Sequence, residues 1–596
     1  MRSNRIVPEP PVLLPEDAES ISVWGFSDTA FEMLDGDVVR LSGDRYELAG
    51  QELPDLLAWV RDQIHPDIAA DNLNPSRYPP PLPEARVNDA FVEDVRGFLG
   101  DDQLSDDAEV RLRRGHGQTQ EEMYRIKYDR VGRIPDLVVF PASDEEVERI
   151  VRSANAHDVS LIPYGGGTNV SNALYCPEFE ARMIVVVDMS RMNRILWIDP
   201  DNHMACIQAG AVGRTIAEQL AEHGFTLGHE PDSIEFSTMG GWVATHASGM
   251  KKNRYGNIED LLLDVTVVTS TGTLSRPMVA PRESVGVGDV RRWILGSEGG
   301  FGIITQAIVK IYPLPEVQEY GSIIFPNLDK GVDFLYELTR TATPPASVRL
   351  VDNTQFQLSQ TLKPHSAGLK KLKSSLEKWF VLKVKGFDPN EMTACTLVFE
   401  GSKAEVRTQQ RDVYRIAAKH QGMNGGASNG KRGYQLTYGI AYLRDWILNH
   451  WLLAESFETS AAWTDALAVC NNVKKRLAEE HKKRNLPGKP FMSCRVTQVY
   501  PTGVCIYFYF AFYFKGVDNP SEVFSEIEHA ARDEVLKSGG SLSHHHGIGK
   551  IRQDFLPRVL SQGVLDWQQQ IKKAVDPGNV FGAGNQAFET AEGDDG

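Results

Sequence analysis

The chain has 596 residues, which is too long for a small binding module and predicts several domains or one large multi-lobed enzyme. Its 63 Lys and Arg residues against 80 Asp and Glu give a net charge of −17, so no global positive field favours general nucleic-acid binding. With 41% hydrophobic and 24% charged residues, the composition is that of an ordinary globular protein and excludes wholesale disorder.

The cysteines, the apolar runs and the termini bear on disulfides, membrane spanning and targeting. Six cysteines lie scattered without a CxxC pair, which predicts no structural disulfide. The longest nearly apolar run, Val504 to Phe514, is about half of what a membrane-spanning helix needs. No apolar signal segment follows Met1, and the last residues are not an S-K-L type address, so we expect neither secretion nor that import route.

The first predicted elements follow a leader. Residues 1–120 are rich in proline and acid and are typical of a peripheral segment that wraps a larger body. Residues 137–140 then predict a strand, and Ser143 opens a helix with the pattern of a capping box. A second short strand at 160–163 runs into the glycines at 165–167, so a tight glycine loop is expected at a strand end.

The remaining pattern divides the chain further. A glycine-rich block at 296–305 closes a first lobe, which we place at 121–315. A substrate lobe at 316–535 mixes strands with amphipathic helices, and a tail at 536–596 returns to the first lobe. The predicted elements between these landmarks are strands at 184–188, 205–210, 265–269 and 504–514 and a helix from Val212 to Glu222 that ends near Gly224.

The glycine loop has two interpretations, a simple turn or an anion site. Three successive glycines, Gly165 to Gly167, let backbone N–H groups converge on an anion such as a pyrophosphate. The loop matches neither GxGxxG nor the GK[ST] of a P-loop, which disfavours a Rossmann or Walker site. Some other dinucleotide-binding fold is therefore indicated.

Three polar, turn-rich blocks extend this signal. Residues 228–241, 245–249 and 255–260 supply hydroxyl groups and bare amides that suit a planar ring or a diphosphate. Predicted strands separate these blocks from the glycine loop, and one extended cofactor groove describes the polar clusters together better than unrelated loops do.

Four motifs carry a specific resemblance. The order of PYGGGTN at 163–169, PDSIEFST at 231–238, ASGMKKNRYGNIEDL at 247–261 and GSEGGFG at 296–302 resembles the FAD-binding domain of the vanillyl-alcohol-oxidase (VAO) type flavoenzymes, the PCMH type. Later segments resemble the ether-lipid-forming members of that superfamily and not its oxidases: RGYQLTYGIAYLRDW at 432–446, ESFETSAAW at 455–463, CRVTQ at 494–498, CIYFYFAF at 505–512 and GGSLSHHHGIGK at 539–550. The resemblance spans about Tyr124 to Asn585, roughly three quarters of the chain.

The resemblance implies an α+β fold and a cofactor. The fold would be a two-lobed VAO/PCMH-type FAD-binding domain with a cap, or substrate, domain built on an antiparallel sheet with flanking helices, and FAD would be held non-covalently. Where the family has Thr-Leu, this chain has Gly300-Phe301. The implied cofactor residues are Pro163, Tyr164, Gly165, Gly166, Gly167, Thr168, Asn169, Asp232, Ser233, Ile234, Glu235, Phe236, Ser237, Thr238, Thr245, His246, Ala247, Ser248, Glu298, Gly299, Gly300, Phe301, Gly302, Ile303 and Ile304.

The histidine run His544, His545 and His546 invites a metal-site interpretation. Consecutive residues of an extended chain point to alternating sides, so three adjacent histidines do not easily converge on one ion, and the sequence shows no nearby Cys or carboxylate to complete a set. We therefore predict no metal. The glycines around the run indicate a mobile polar loop, and the resemblance makes its histidines essential to the active site.

Four further residues are candidates for the active site. From composition alone Tyr507 is a core aromatic of its strand, but the resemblance makes it the proton acceptor and donor. Arg444 lies in an apolar and aromatic context that favours a buried anion partner, and by resemblance it contacts substrate. Arg349 and Thr497 match family positions linked to activity.

The resemblance implies an alkyl-group transferase. The family exchanges the acyl chain of acyl-dihydroxyacetone phosphate for a long-chain fatty alcohol, giving alkyl-dihydroxyacetone phosphate and a fatty acid without net redox, through a covalent adduct at flavin N5. Two alternatives stay open: an FAD-dependent oxidase or dehydrogenase of a 2-hydroxy acid, and a catalytically inactive lipid-binding or scaffold homologue.

Partners and location also follow from the resemblance. It implies work inside the peroxisome, peripheral contact with the membrane, a homodimer and a complex with the acyltransferase that makes the substrate. Arg5-Ile6 and, five residues on, Val12-Leu13 have the spacing of an N-terminal peroxisomal signal, but Val12 stands where His or Gln is expected. We therefore expect no clear targeting signal.

Overall fold

We describe the protein from a computed structural model, which covers residues 4–12, 18–20, 22–276, 279–363, 386–581 and 584–586. Leu13 of the signal-like spacing and the last ten residues of the chain lie outside the described residues. Among the described helices, none combines the length and apolar character that crossing a membrane requires.

The N-terminal segment forms a small sheet and several helices. Three short antiparallel strands pair in the order β1-β2-β3, and their apolar side chains pack against Leu443 and Trp446 of the substrate lobe. These contacts attach the N-terminal sheet to the substrate lobe. Its elements are β1 (Phe31–Leu34), β2 (Val38–Leu41), β3 (Glu52–Leu53), α1 (Leu56–Gln63), α2 (Asp89–Arg96), β4 (Leu104–Ser105), α3 (Ala108–Arg114) and α4 (Gln120–Tyr128).

The first lobe contains two sheets that share one hydrophobic core. One has the order β4-β5-β7-β6, with parallel pairs on both sides of β7, and the other has the order β12-β11-β13-β9-β8. The elements are β5 (Leu137–Val139), α5 (Asp144–Ala156), β6 (Ser160–Tyr164), β7 (Ile184–Asp188), β8 (Ile195–Asp199), β9 (Met204–Gln208), α6 (Gly213–Glu222), β10 (Phe225–Thr226), α7 (Met239–Thr245), α8 (Lys252–Tyr255), α9 (Ile258–Leu261), β11 (Leu262–Thr269), β12 (Gly272–Leu274), α10 (Arg291–Ile294) and β13 (Ile303–Lys310).

The N-terminus of α5 differs from the prediction in one contact. The Ser143 hydroxyl accepts the Glu146 N–H, as a helix cap does. The Glu146 carboxylate, however, accepts the N–H of Ala142 at 2.7 Å, so the reciprocal contact of a capping box is replaced by one a residue earlier.

The substrate lobe is a seven-stranded antiparallel sheet in the order β18-β15-β17-β16-β20-β21-β19. Its second core contains the alternating aromatics of β21, which is paired on both sides. The short strand β14 (Tyr312–Pro313) precedes this lobe and pairs with β10 of the first lobe. The elements of the substrate lobe are β15 (Val317–Phe325), α11 (Leu328–Thr341), β16 (Ser347–Val351), α12 (Asn353–Thr361), β17 (Thr393–Gly401), α13 (Lys403–Lys419), β18 (Met423–Asn424), α14 (Ala427–Asn449), β19 (Leu452–Ala462), α15 (Ala466–Lys483), β20 (Phe491–Val499), β21 (Gly503–Tyr513) and α16 (Pro520–Lys537).

The tail runs back to the first lobe. After α17 (Leu556–Val559) and α18 (Gln562–Val575), Phe581 forms a parallel bridge with Leu161 of β6. The buried Lys572 ammonium donates to the carbonyls of Gly300 and Phe581 and to Asp576. The α+β fold with an antiparallel substrate sheet is confirmed, whereas the limits at 120, 315 and 535 stay a prediction.

Candidate functional site

A cavity of about 380 Å³ lies between the first lobe and the large sheet. The glycine loop after β6 lines one side of it, and α14, β20 and β21 line the other. A cavity of this size at the contact of two lobes is the usual place for a cofactor or small-molecule site.

The glycine loop fits a bound diphosphate. In the part of the chain that the structure describes, no backbone N–H of residues 165–169 donates a hydrogen bond. A Cβ on Gly166 would stand 2.0 Å from the Phe236 carbonyl oxygen, and Gly167 has φ +64°, so these two positions need glycine. Donors without acceptors at the wall of a cavity are the arrangement that an anionic group of a dinucleotide requires.

The structure divides the predicted cofactor residues into two groups. Those that line the cavity are Pro163, Tyr164, Gly165, Gly166, Gly167, Thr168, Asn169, Asp232, Ser233, Ser237, Thr238, Thr245, Ala247, Ser248, Glu298, Gly299, Gly302 and Ile304.

The other predicted cofactor residues are occupied elsewhere. Ile234, Phe301 and Ile303 belong to the core of the first lobe, and Phe236 packs on Trp24 and Phe26 of the N-terminal segment. The Glu235 carboxylate accepts from Tyr46 and Arg214, His246 pairs with Glu259 at 3.3 Å, and the Gly300 carbonyl accepts from Lys572. Their side chains are not among those that line the cavity.

Tyr507 and His546 form a hydrogen-bonded pair at the cavity wall. The Tyr507 hydroxyl lies 2.5 Å from His546 Nε2, and both residues line the cavity. Burial, with the nearby Asp232 carboxylate, raises the pKa of Tyr507 well above its usual range, whereas burial lowers the pKa of His546 well below. At neutral pH the resting pair is therefore a phenol that donates to a neutral imidazole.

The histidine loop is tethered, unlike the mobile loop that its glycines predict. The buried Glu458 carboxylate of β19 accepts the backbone N–H groups of His544, His545 and His546 at 2.5, 3.2 and 2.8 Å. The Tyr500 hydroxyl bonds His544 Nε2 at 2.7 Å. These contacts hold three consecutive residues in one place.

Two of the histidines do converge, which corrects one argument from the sequence. His544 Nδ1 and His545 Nδ1 lie 2.8 Å apart, and the Cys505 thiol lies within 4.8 Å of ligand atoms on both rings. A cysteine from β21 is thus close by in space, although none is close in sequence. The set offers soft donor atoms, but its rings already bond each other and Tyr500, so we assign no metal to it.

Arg349 and Arg495 converge on one carboxylate. Arg349 donates to both Asp232 oxygens at 3.0 and 3.3 Å and Arg495 to one at 3.1 Å, while the Arg495 guanidinium stacks 4.8 Å from the centre of the Tyr507 ring. Burial acts to raise the pKa of Asp232, but the two arginines hold it below its usual range. The two guanidinium groups and one carboxylate carry one net positive charge. Arg349 and Asp232 line the cavity.

Arg444 and Thr497 also line the cavity. Arg444 donates to the Gln118 carbonyl at 2.7 Å and pairs with Asp445 at 3.0 Å, so its anion partner is its own chain neighbour. The structure thus brings every predicted active-site residue except His544 to the cavity wall, and His544 to its immediate neighbour.

Sequence reasoning missed Glu458, Arg495 and Tyr500. The first two lie inside ESFETSAAW and CRVTQ, segments already quoted for the resemblance, which was the signal that could have found them. Tyr500 follows β20 and carries no motif of its own.

Comparisons with known proteins indicate a flavin-binding family, which is consistent with a cavity lined by backbone donors. Residues 135–276 match the family model "FAD binding domain", and residues 314–585 match "FAD linked oxidases, C-terminal domain". The chain is 42% identical to an alkyldihydroxyacetonephosphate synthase of Caenorhabditis elegans over 94% of each chain.

Solved structures support the same assignment. A crystal structure of alkyldihydroxyacetonephosphate synthase superposes with a TM-score of 0.82 at 29% identity, covering 94% of this chain and 98% of that one. p-Cresol methylhydroxylase shares the fold, with a TM-score of 0.64 at 16% identity, over 85% of this chain and 98% of that one. The predicted resemblance and the FAD cofactor are confirmed, and the chain belongs to the alkyldihydroxyacetonephosphate synthase family of FAD-dependent alkyl transferases.

Proposed function

We propose that this protein exchanges the acyl chain of acyl-dihydroxyacetone phosphate for a long-chain fatty alcohol, releasing a fatty acid, in ether-lipid synthesis. The observation that carries the proposal is the Tyr507–His546 pair, 2.5 Å apart at the wall of the cavity that the glycine loop lines. FAD, when bound, supplies a covalent electrophile in place of net redox, and the protein supplies binding, orientation and proton transfer.

The proton at C1 of the dihydroxyacetone unit would be moved by Tyr507. As a neutral phenol, Tyr507 becomes a base only by giving its own proton to His546, whose Nε2 already accepts that hydrogen bond. Glu458, with one oxygen 3.8 Å from His546 Nδ1, would stabilise the resulting imidazolium. Arg495, over the Tyr507 ring, would stabilise the phenolate. The proton then returns along the same path when the product forms.

The phosphate needs cationic donors, and two sets face the cavity. Arg349 has a buried Nε without a hydrogen-bond partner among the described residues, and its two terminal nitrogens are held by Asp232 and Thr437. Arg444 supplies a second guanidinium on α14. Charge-assisted bonds from such groups are the strong ones in phosphate recognition.

The aliphatic chains need an apolar channel. Apolar residues of α12 and α14 are among those that line the cavity: Leu358, Ile440, Ala441, Leu443 and Ile447. Such a wall excludes water, which would otherwise compete with the alcohol and turn exchange into hydrolysis.

The test is the flavin spectrum of the purified holoenzyme with and without acyl-dihydroxyacetone phosphate, together with product analysis in the presence of hexadecanol. We expect a substrate-induced change of the FAD band, formation of the alkyl product and no oxygen consumption. Bleaching by D-lactate or glycolate without alkyl product would instead identify a 2-hydroxy-acid oxidase or dehydrogenase, and no response to any of these would identify an inactive lipid-binding homologue.

Location and assembly belong to the same proposal. The family resemblance supports action inside the peroxisome, peripheral contact with the membrane, a homodimer and a complex with the acyltransferase that makes the substrate. Fractionation of cells and the mass of the purified protein in solution would test the first and third of these.

A further inference from the structure

The histidine loop is held from two sides by buried carboxylates. From the large sheet, Glu458 accepts the Ser543 hydroxyl at 2.8 Å in addition to the three histidine N–H groups. Its side chain is fully buried.

The second carboxylate belongs to the first lobe. Glu298, in the glycine-rich block before β13, accepts the N–H groups of Ile548 and Gly549 at 3.1 and 2.7 Å. The same carboxylate accepts the Ser171 hydroxyl at 2.7 Å, and Ser171 lies two residues beyond the glycine-loop motif. Glu298 therefore links the end of the histidine loop to the segment that lines the cofactor side of the cavity.

The glycines of the loop make the second contact possible. Gly547 has φ +85°, and a Cβ there would stand 2.3 Å from a Glu298 oxygen. Gly549 has φ +50°, and its Cβ would stand 1.9 Å from the Ser171 carbonyl oxygen. The glycines thus serve close approach to the carboxylate and to the first lobe, and do not imply a loop that moves freely.

At Glu458 only a carboxylate meets the demand. An ionised carboxylate is a pure acceptor with about four lone-pair sites, so it can take three or four N–H and O–H donors at once. Both Glu458 oxygens accept histidine N–H groups, so an amide of the same shape would place its NH₂ group against a backbone N–H donor and leave that donor unpaired. At Glu298 one oxygen accepts both backbone N–H groups and the other accepts the Ser171 hydroxyl, to which an amide could donate instead, so only removal of the carboxyl group tests this contact.

We propose that Glu458 and Glu298 are positioning residues that fix His546, and through it Tyr507, relative to the cofactor cradle of the opposite lobe. The catalytic part of this inference rests on the proposed function. The structural part, a loop whose order depends on both carboxylates, stands without it.

The experiment compares Glu458→Gln and Glu298→Ala in the FAD-loaded full-length protein. Glu146→Gln is the control for the amide substitution, because the Glu146 carboxylate of α5 accepts the Ala142 N–H and the Gln103 side-chain amide through one oxygen, which a glutamine retains, and does not contact the loop. The readouts are amide hydrogen exchange of residues 543–549, the flavin-to-protein ratio, and kcat and KM for alkyl exchange.

We expect Glu458→Gln to retain FAD, and we expect both variants to exchange the loop amides much faster than wild type and to lose about 100-fold in kcat per bound flavin, because a displacement near 1 Å is enough to cost that factor. KM should change little, and the control should match wild type in the loop and in kcat. If Glu458→Gln does not fold, Glu298→Ala, compared per bound flavin, decides alone.

Two results would overturn the proposal: unchanged loop exchange, whatever the kcat, or faster loop exchange with full kcat. If wild type shows no alkyl exchange while the variants still lose loop protection, the proposed function fails and the structural part stands.

Discussion

Replacing Tyr507 by Phe removes one oxygen atom and the hydrogen bond to His546 Nε2. The ring itself can stay, since it packs between Tyr509, His546 and the Arg495 guanidinium. His546 Nδ1 already has no hydrogen-bond partner among the described residues, so the variant leaves neither ring nitrogen of that buried histidine satisfied.

The Tyr507→Phe substitution should change both the folding free energy and kcat. An unpaired buried acceptor costs about 1–3 kcal/mol of folding free energy, which a protein of this size tolerates. Loss of the proton-transfer group should lower kcat by about 10²–10⁴-fold, equivalent to ~2.7–5.4 kcal/mol in the activation barrier.

The assay is alkyl exchange at saturating substrate, with the flavin-to-protein ratio and the melting temperature measured on the same preparation. Tyr509→Phe is the control, because this tyrosine lies on the same strand, lines the cavity and stacks on the same arginine, and should keep kcat within about threefold, or ~0.7 kcal/mol. An FAD-loaded Tyr507→Phe variant within threefold of wild type would refute the proton-transfer role.

Three other predictions concern the cavity and the pH dependence of stability. Gly166→Ala should purify with little FAD, measured as absorbance at the flavin band, because the new Cβ would stand 2.0 Å from the Phe236 carbonyl oxygen. Arg444→Lys should raise KM for the acyl substrate at least about tenfold with unchanged FAD content, because an ammonium cannot keep the paired contacts to Gln118 and Asp445 and also bind an anion. Burial lowers the pKa of His116 from 6.5 to about 4. Below pH 6.5 the unfolded chain therefore binds a proton that the folded chain does not, and the free energy of unfolding decreases as the pH is lowered. His116→Asn should shrink the loss of unfolding free energy between pH 7 and pH 5 by about 2 kcal/mol in denaturant titrations, and an unchanged loss would contradict the assignment.

Short-range patterns predicted the elements of the first lobe well. The helix with apolar residues at 147, 150, 151 and 154 buries those four side chains, and the strand at 184–188 is fully buried. These predictions succeeded because helix and strand periodicity are local properties that burial of one face enforces. The cofactor loops could be recognised for a similar reason, since glycine is required wherever backbone and ligand approach closely.

The site itself could be predicted only in part, because its decisive contacts join distant segments. The Glu458 carboxylate accepts the N–H of His546, which lies 88 residues away along the chain. The Asp232 carboxylate accepts from Arg495, which lies 263 residues away. Cys505 reaches the histidines only because β21 lies beside the tail, which the separation along the chain conceals. Periodicity and spacing carry no information on such pairs, whereas family motifs carry it indirectly.

The return of the tail to the first lobe has a consequence for synthesis of the protein. Leu161 donates its N–H to the Val580 carbonyl, and the Lys572 ammonium donates to the Gly300 carbonyl. Residues of the tail therefore form part of the cofactor lobe. A ribosome that has made residues 1–315 has therefore not yet supplied all the parts of this lobe. FAD loading should therefore wait until residue 580 has left the ribosome, and a premature stop before residue 580 should leave a flavin-free product.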